Sequence, residues 1–177
     1  MSQSSDSEVA SAQVRSTSVD SKPDSHKSEA ASVARARGKA RRLAMQAIYQ
    51  WQMTGDSVSG IKQQFIDEHH LDDENSKVDA DYFSELLSGV ASSISTLDPL
   101  LEKYMSRLME SVDPVERAVL RLAAYEFINR LDVPYKVVLN EAVNISKKFC
   151  ADKSHTFVNA VLDKVAKEIR SLETQSS

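Results

Sequence analysis

VERAVLRLAAYEFINRL, residues 115–131, is the stretch on which the fold turns. Val119, Leu120, Leu122, Ala123, Ala124, Phe127 and Ile128 occupy most of the circumference of a helix rather than one stripe. A helix that is apolar nearly all round is covered on all sides, so this segment predicts the central helix of an all-α domain. Asp113-Pro114 stands just before it, a capping carboxylate followed by a proline suited to the first turn. Glu116 falls three residues after Asp113, where the acid of a capping box sits. Val133-Pro134 ends the segment, because proline clashes with a continuing helix.

Outward from this centre the same 3.6-residue period recurs. Val138, Ala142, Ile145 and Phe149 predict one helix on the C-terminal side, and Val158, Val161, Leu162, Val165 and Ile169 a last one started by Asp152 or Ser154. On the N-terminal side, Ala40, Ala44, Ala47, Ile48 and Trp51 form a stripe that Gly55 terminates. Val58, Ile61 and Phe65 mark a short second helix, and Asp72–Asp79 an acidic loop. Tyr82, Phe83, Leu86, Leu87, Val90 and Ile94 mark a third, capped near Asp79 or Asp81. A second Asp-Pro pair, Asp98-Pro99, predicts another helix start. No strand-like alternation of useful length interrupts the series, so the expectation is about seven helices in two small packed bundles.

Composition agrees with an all-helical chain. Four Gly and four Pro in 177 residues weigh against a sandwich or barrel. One Cys excludes an internal disulfide framework and suits a reducing compartment. No apolar run approaches the ~18–20 residues of a membrane span, and no hydrophobic leader opens the chain, so a cytoplasmic protein is expected. Residues 1–34 hold eleven Ser, no aromatic, and three basic against five acidic side chains, a composition expected to be disordered. The folded domain is expected over 35–172, with 173–177 as a flexible tail.

A formal net charge of −4 conceals regions of opposite sign. Residues 35–42, RARGKARR, carry five positive charges and no acid, whereas 67–85 carry eight acids and one Lys. Guanidinium groups bridge phosphate oxygens and stack on exposed bases, so this cluster points to single-stranded RNA. Cations at a helix N-terminus would also oppose the macrodipole, a conflict that a phosphate-rich ligand would relieve.

Signs of catalysis are poor. Gly38, Gly55, Gly60 and Gly89 are isolated and form no phosphate loop. His69-His70 reads as a solvated pair, since adjacent ring side chains on a helix diverge and cannot readily share a metal. Cys150 and His155 lack a third orienting group. Ser154 reads as a helix cap, and Asp72-Asp73 lies in a loop with no apolar pocket to raise a pKa. The expectation is no enzyme, no metal and no cofactor. By residue type alone, Tyr49 reads as core and Glu110 and Glu116 as helix-surface charges.

Six segments occur in order without a large gap between about Arg37 and Ile169: ARRLAMQAIYQWQM, YFSELLSGV, LDPLLEKYMSRL, VERAVLRLAAYEF, DVPYKVVLNEAV and SHTFVNAVLDK. Together they resemble the bacterial NusB transcription antitermination family. The resemblance implies a helical, non-catalytic protein that pairs with the small-subunit ribosomal protein acting as NusE. The pair would bind the boxA element of ribosomal RNA leader transcripts, within the RNA polymerase antitermination complex, and promote read-through and rRNA maturation. A homodimer stands as a candidate alongside, and no membrane is implied.

Carried over by position, the resemblance assigns Arg37, Lys39, Arg41 and Arg42 to RNA, with Phe157 stacking on a base. Arg121 and Lys153 would extend that surface, and Tyr49, Glu110 and Glu116 would face the protein partner. Three departures stand out. Gly38 occupies a place where relatives often have Arg, Lys153 one where an acid occurs, and Ala160 replaces a common Gly. The same helical domain is also found fused ahead of rRNA cytosine methyltransferases, but this sequence offers no Gly-rich nucleotide fold or catalytic Cys motif.

Overall fold

The computed structural model describes residues 23–175. Among them lie eight α-helices: α1 Pro23–Thr54, α2 Val58–His69, α3 Ala80–Ser92, α4 Ile94–Glu102, α5 Pro114–Asn129, α6 Tyr135–Phe149, α7 Ser154–Ile169 and α8 Ser171–Gln175. A 3₁₀ turn at Met109–Ser111 joins α4 to α5. The all-α expectation holds. Helix α5 is the hub: α1, α2 and α3 pack together on one side of it, and α4, α6 and α7 on the other. Ala118, Val119, Leu120, Leu122, Ala123, Ala124 and Phe127 are all buried, as the near-continuous apolar circumference requires.

Local signals placed most helix ends. Gly55 takes a φ of +71° after α1, a conformation glycine adopts without steric penalty. Asp79 caps α3 by accepting from Tyr82 N at 2.9 Å, and Asp113 caps α5 by accepting from Val115 N at 2.9 Å and Glu116 N at 3.4 Å. The reciprocal half of the capping box is not formed, because the Glu116 carboxylate pairs with Arg107 at 3.7 Å.

Other expectations are corrected. Pro99 lies inside α4 rather than at its start, and Asp98 pairs with Arg121 instead of capping. The carbonyl that Pro99 leaves without a donor belongs to exposed Ser95, where water can serve it. Lys153, in the left-handed region at φ +70°, precedes α7, and Ser154 is its buried first residue rather than a side-chain cap. Ala160 is exposed and widens no helix contact.

Residues 23–34, expected without order, belong to α1, while residues 1–22 lie outside the described residues. Extending a helix already nucleated at 35–54 costs far less than starting one, and Ala30, Ala31 and Ala34 favour it. Of the expected tail, 173–175 belong to α8, where Glu173 accepts from Tyr135 N at 3.0 Å, while 176–177 lie outside the described residues.

Gly89 is a packing requirement. A Cβ at that position would stand 2.2 Å from the Tyr125 ring, where α3 crosses α5. Gly89→Ala is therefore expected to destabilise by about 1–3 kcal/mol through overpacking, against a helix-propensity gain of up to ~1 kcal/mol. A thermal melt that rises on this substitution would contradict the crowding.

Candidate nucleic-acid interface

Helix α1 divides the basic octad into two faces. Arg37 and Arg41, four residues apart, turn inward. Arg37 Nη1 meets Asp132 at 3.0 Å and its Nε lies 3.6 Å from Asp79. Arg41 is 3% exposed and donates to the Glu126 carboxylate at 2.8–3.0 Å, while Glu126 is 1% exposed and also accepts from the Tyr82 hydroxyl. The guanidinium groups of Arg37, Arg41 and Arg130 surround the Tyr82 ring at 4.8–5.2 Å. Burial, and then the Glu126 charge, push the Tyr82 phenol well above its usual range. These arginines hold α1 against α3 and α5. The assignment of Arg41 to RNA is corrected, since its guanidinium is buried and its charge is neutralised by the buried Glu126 carboxylate.

Arg35, Lys39 and Arg42, at i, i+4 and i+7, share the outward face and enter no ion pair among the described residues. Lys39 and Arg42 line a cleft of about 310 Å³ whose other walls are Leu43, Gln46, His69, Val78, Lys148 and Phe149. Lys148, from the last turn of α6, was invisible as a partner of α1 at the level of sequence; only its place in residues 136–170, with seven basic side chains against four acids, hinted at it. Because α1 begins at Pro23, the octad is in mid-helix, and the expected conflict with the helix dipole does not arise.

The remaining positions separate clearly. Arg121 is buried and corrected as a free RNA contact: its Nε and Nη2 bind Asp98 at 2.9 and 2.7 Å, and its Nη1 binds Gln52 at 2.8 Å. Phe157 is half-buried under the Arg107 guanidinium, 4.4 Å from the ring centroid, and neither it nor exposed Lys153 lines the basic cleft. Gly38 is on a buried face, where a Cβ would stand 3.3 Å from the Glu141 carboxylate. A larger side chain there would meet Glu141 before any phosphate.

Beside the basic cleft runs a groove of about 460 Å³ with different chemistry, lined by Met45, Gln46, Tyr49, Gln50, Met53, Thr54, Phe65, Val115 and Phe149. Tyr49 is 38% and Met53 55% exposed. Aromatic and methionine side chains left half in water are typical of protein contact surfaces. Glu116 follows Val115 and is largely buried; Glu110 is exposed on the 3₁₀ turn. Gln46 and Phe149 belong to both concavities, so the basic cleft and the apolar groove share a wall. A larger hollow of about 700 Å³ lies between the start of α1 and α6, but its cations Arg37 and Arg41 are already neutralised.

The Cys150 thiol is pushed up to about 11, by burial first and then by the Glu116 charge, which is the reverse of what a nucleophile needs. Among the described residues no three His, Cys, Asp or Glu side chains converge as metal ligands, and no helix is long and apolar enough to cross a membrane.

The NusB family model matches residues 38–167. The chain belongs to the NusB family. Transcription antitermination protein NusB of Saccharophagus degradans is 52% identical over 144 residues, covering 81% of this chain and 93% of that protein. The NusB of Teredinibacter turnerae is 54% identical over 138 residues, covering 77% and 91%. Among solved structures, antitermination factors NusB and NusE in complex with dsRNA include a chain of 27% identity and TM-score 0.67, covering 76% of this chain and 98% of that one. Thermotoga maritima NusB gives a TM-score of 0.66 at 27% identity, covering 75% and 91%. The NusB match begins beside Arg37 and leaves the first turns of α1 outside it.

Proposed function

We propose that this NusB-family protein binds single-stranded boxA RNA of ribosomal RNA leaders jointly with the small-subunit ribosomal protein acting as NusE, within the RNA polymerase antitermination complex. The shared wall at Gln46 and Phe149 carries this reading, because it would set a phosphate-binding cleft directly against a surface suited to protein. The co-occurrence of NusB, NusE and RNA in a structural neighbour supports it. RNA takes the cleft through Lys39, Arg42 and Lys148, and the partner takes the groove through Tyr49, with Glu116 beside Val115 at its margin and Glu110 on the 3₁₀ turn as a further contact. Phe157 receives a base only if Arg107 swings off its ring; Lys153 adds long-range attraction.

Three phosphates neutralised on a single strand predict a slope of log affinity against log salt of roughly −2. Arg42→Ala with Lys148→Ala is expected to weaken RNA binding about tenfold or more at moderate salt, since both removed groups meet phosphate. Tyr49→Ala should instead reduce capture of NusE and leave the RNA affinity of the isolated chain within about twofold, because aromatic anchors dominate protein interfaces. Fluorescence anisotropy with a boxA oligonucleotide, and pull-down with NusE, measure the two separately. Equal loss of both activities in either variant would contradict two surfaces. RNA binding seen only with NusE present would favour an adaptor that meets RNA through its partner.

A further inference from the structure

A second cleft, of about 360 Å³, is lined by Ser32, Arg35, Ala36, Lys39, Ser76 and Lys77. It holds three cations and two hydroxyls and no carboxylate, and none of the three cations enters an ion pair among the described residues. One wall is α1; the other is the connection between α2 and α3. That connection is tied to α1 by Asp79 N donating to the Ala36 carbonyl at 3.4 Å and by the Arg37–Asp79 pair at 3.6 Å. Lys77 is thereby held across from Arg35 and Lys39. Elsewhere Arg37, Arg41, Arg121 and Arg130 each meet a carboxylate, whereas the three cations of this hollow, like those of the central cleft, meet none among the described residues.

We infer that this cleft binds a backbone phosphate of the RNA flanking the segment held in the central cleft, which lengthens the RNA footprint along α1. The inference rests on the RNA reading proposed above. Lys39 lines both clefts, and Arg35 lies two helical turns, about 10 Å, from Arg42, so one strand can run from one to the other. Ser32 and Arg35 precede residue 38, where the family match starts, so the site depends on the N-terminal extension of α1.

The test uses the full chain, anisotropy titrations, a core RNA that fills the central cleft, and the same RNA extended at either end. The parent is expected to bind one extended RNA about tenfold more tightly than the core, with a salt slope steeper by about 0.7, the value for one further phosphate. Arg35→Ala/Lys77→Ala should erase that gain and leave core affinity unchanged. Retention of the gain in this variant overturns the inference while the central-cleft reading stands. Chemical-shift changes at Lys77 with inorganic phosphate, without any gain from extension, would make this a free-anion site and also overturn it. Unchanged core affinity in the Arg42→Ala/Lys148→Ala variant, or no RNA binding by the parent, brings down the RNA reading itself.

Discussion

Arg170→Met is expected to lower the stability of the fold by about 3–5 kcal/mol, with a fall in melting temperature on the order of 10 °C for a chain of this size. Arg170 is 4% exposed and follows the last residue of α7. Its guanidinium donates to four carbonyls around the end of α5: Phe127 at 2.7 Å, Arg130 at 2.9 Å, and Glu126 and Val133 at 3.3 Å. The last carbonyls of a helix have no partner within it, and the negative end of its dipole lies there, so a buried cation answers both needs. The carbonyls of Glu126 and Arg130 also take backbone N–H groups, from Arg130 and Val133. Phe127 and Val133 therefore bear most of the loss, and each buried carbonyl left without a donor costs roughly 1–3 kcal/mol. Met keeps the stem packing and removes the donors and the charge, including the ion pair with Glu173. Arg170→Lys should recover part of the stability, because one ammonium cannot span all four acceptors. Urea unfolding measures both, and a Met variant as stable as the parent would refute this account.

The second large effect concerns Arg41. Arg41→Met leaves the Glu126 carboxylate buried without its cation, and breaking such a pair costs about 3–5 kcal/mol. Adding Glu126→Gln removes the stranded charge while keeping an acceptor for Tyr82, so the double variant should regain most of the loss. Its RNA affinity should stay within about twofold of the parent, since the Arg41 guanidinium is buried and neutralised by Glu126. The single variant, by contrast, would lose RNA binding through unfolding. A stable double variant whose RNA binding fell as far as that of Arg42→Ala/Lys148→Ala would return Arg41 to the RNA surface. Circular dichroism beside anisotropy separates these outcomes.

Helix positions were largely legible in the sequence, because apolar period, capping carboxylates and Gly55 act within a few residues. Errors arose where two uses competed for one residue. Asp98 has the chemistry of a cap, yet it serves an arginine 23 positions away. Composition over residues 1–34 averaged a serine-rich start with an alanine-bearing stretch that α1 absorbs. In the candidate site, the cationic octad was visible and its division was not. Arg37 and Arg41 look the same as Arg35, Lys39 and Arg42 until acids from the N-cap of α3, from α5 and from the turn after α5 arrive opposite one face.

The sequence by itself determined an all-helical chain, the central place of residues 115–131 and a cationic start to the domain, because each follows from side-chain type and local spacing. Only the tertiary structure decided which cations are structural and which remain open to a ligand. Pairing depends on what packs across a helix, and Glu126 is 85 residues from Arg41. The same holds for Lys148, which α6 brings to the basic cleft beside α1, and for Phe149, which lines both that cleft and the apolar groove.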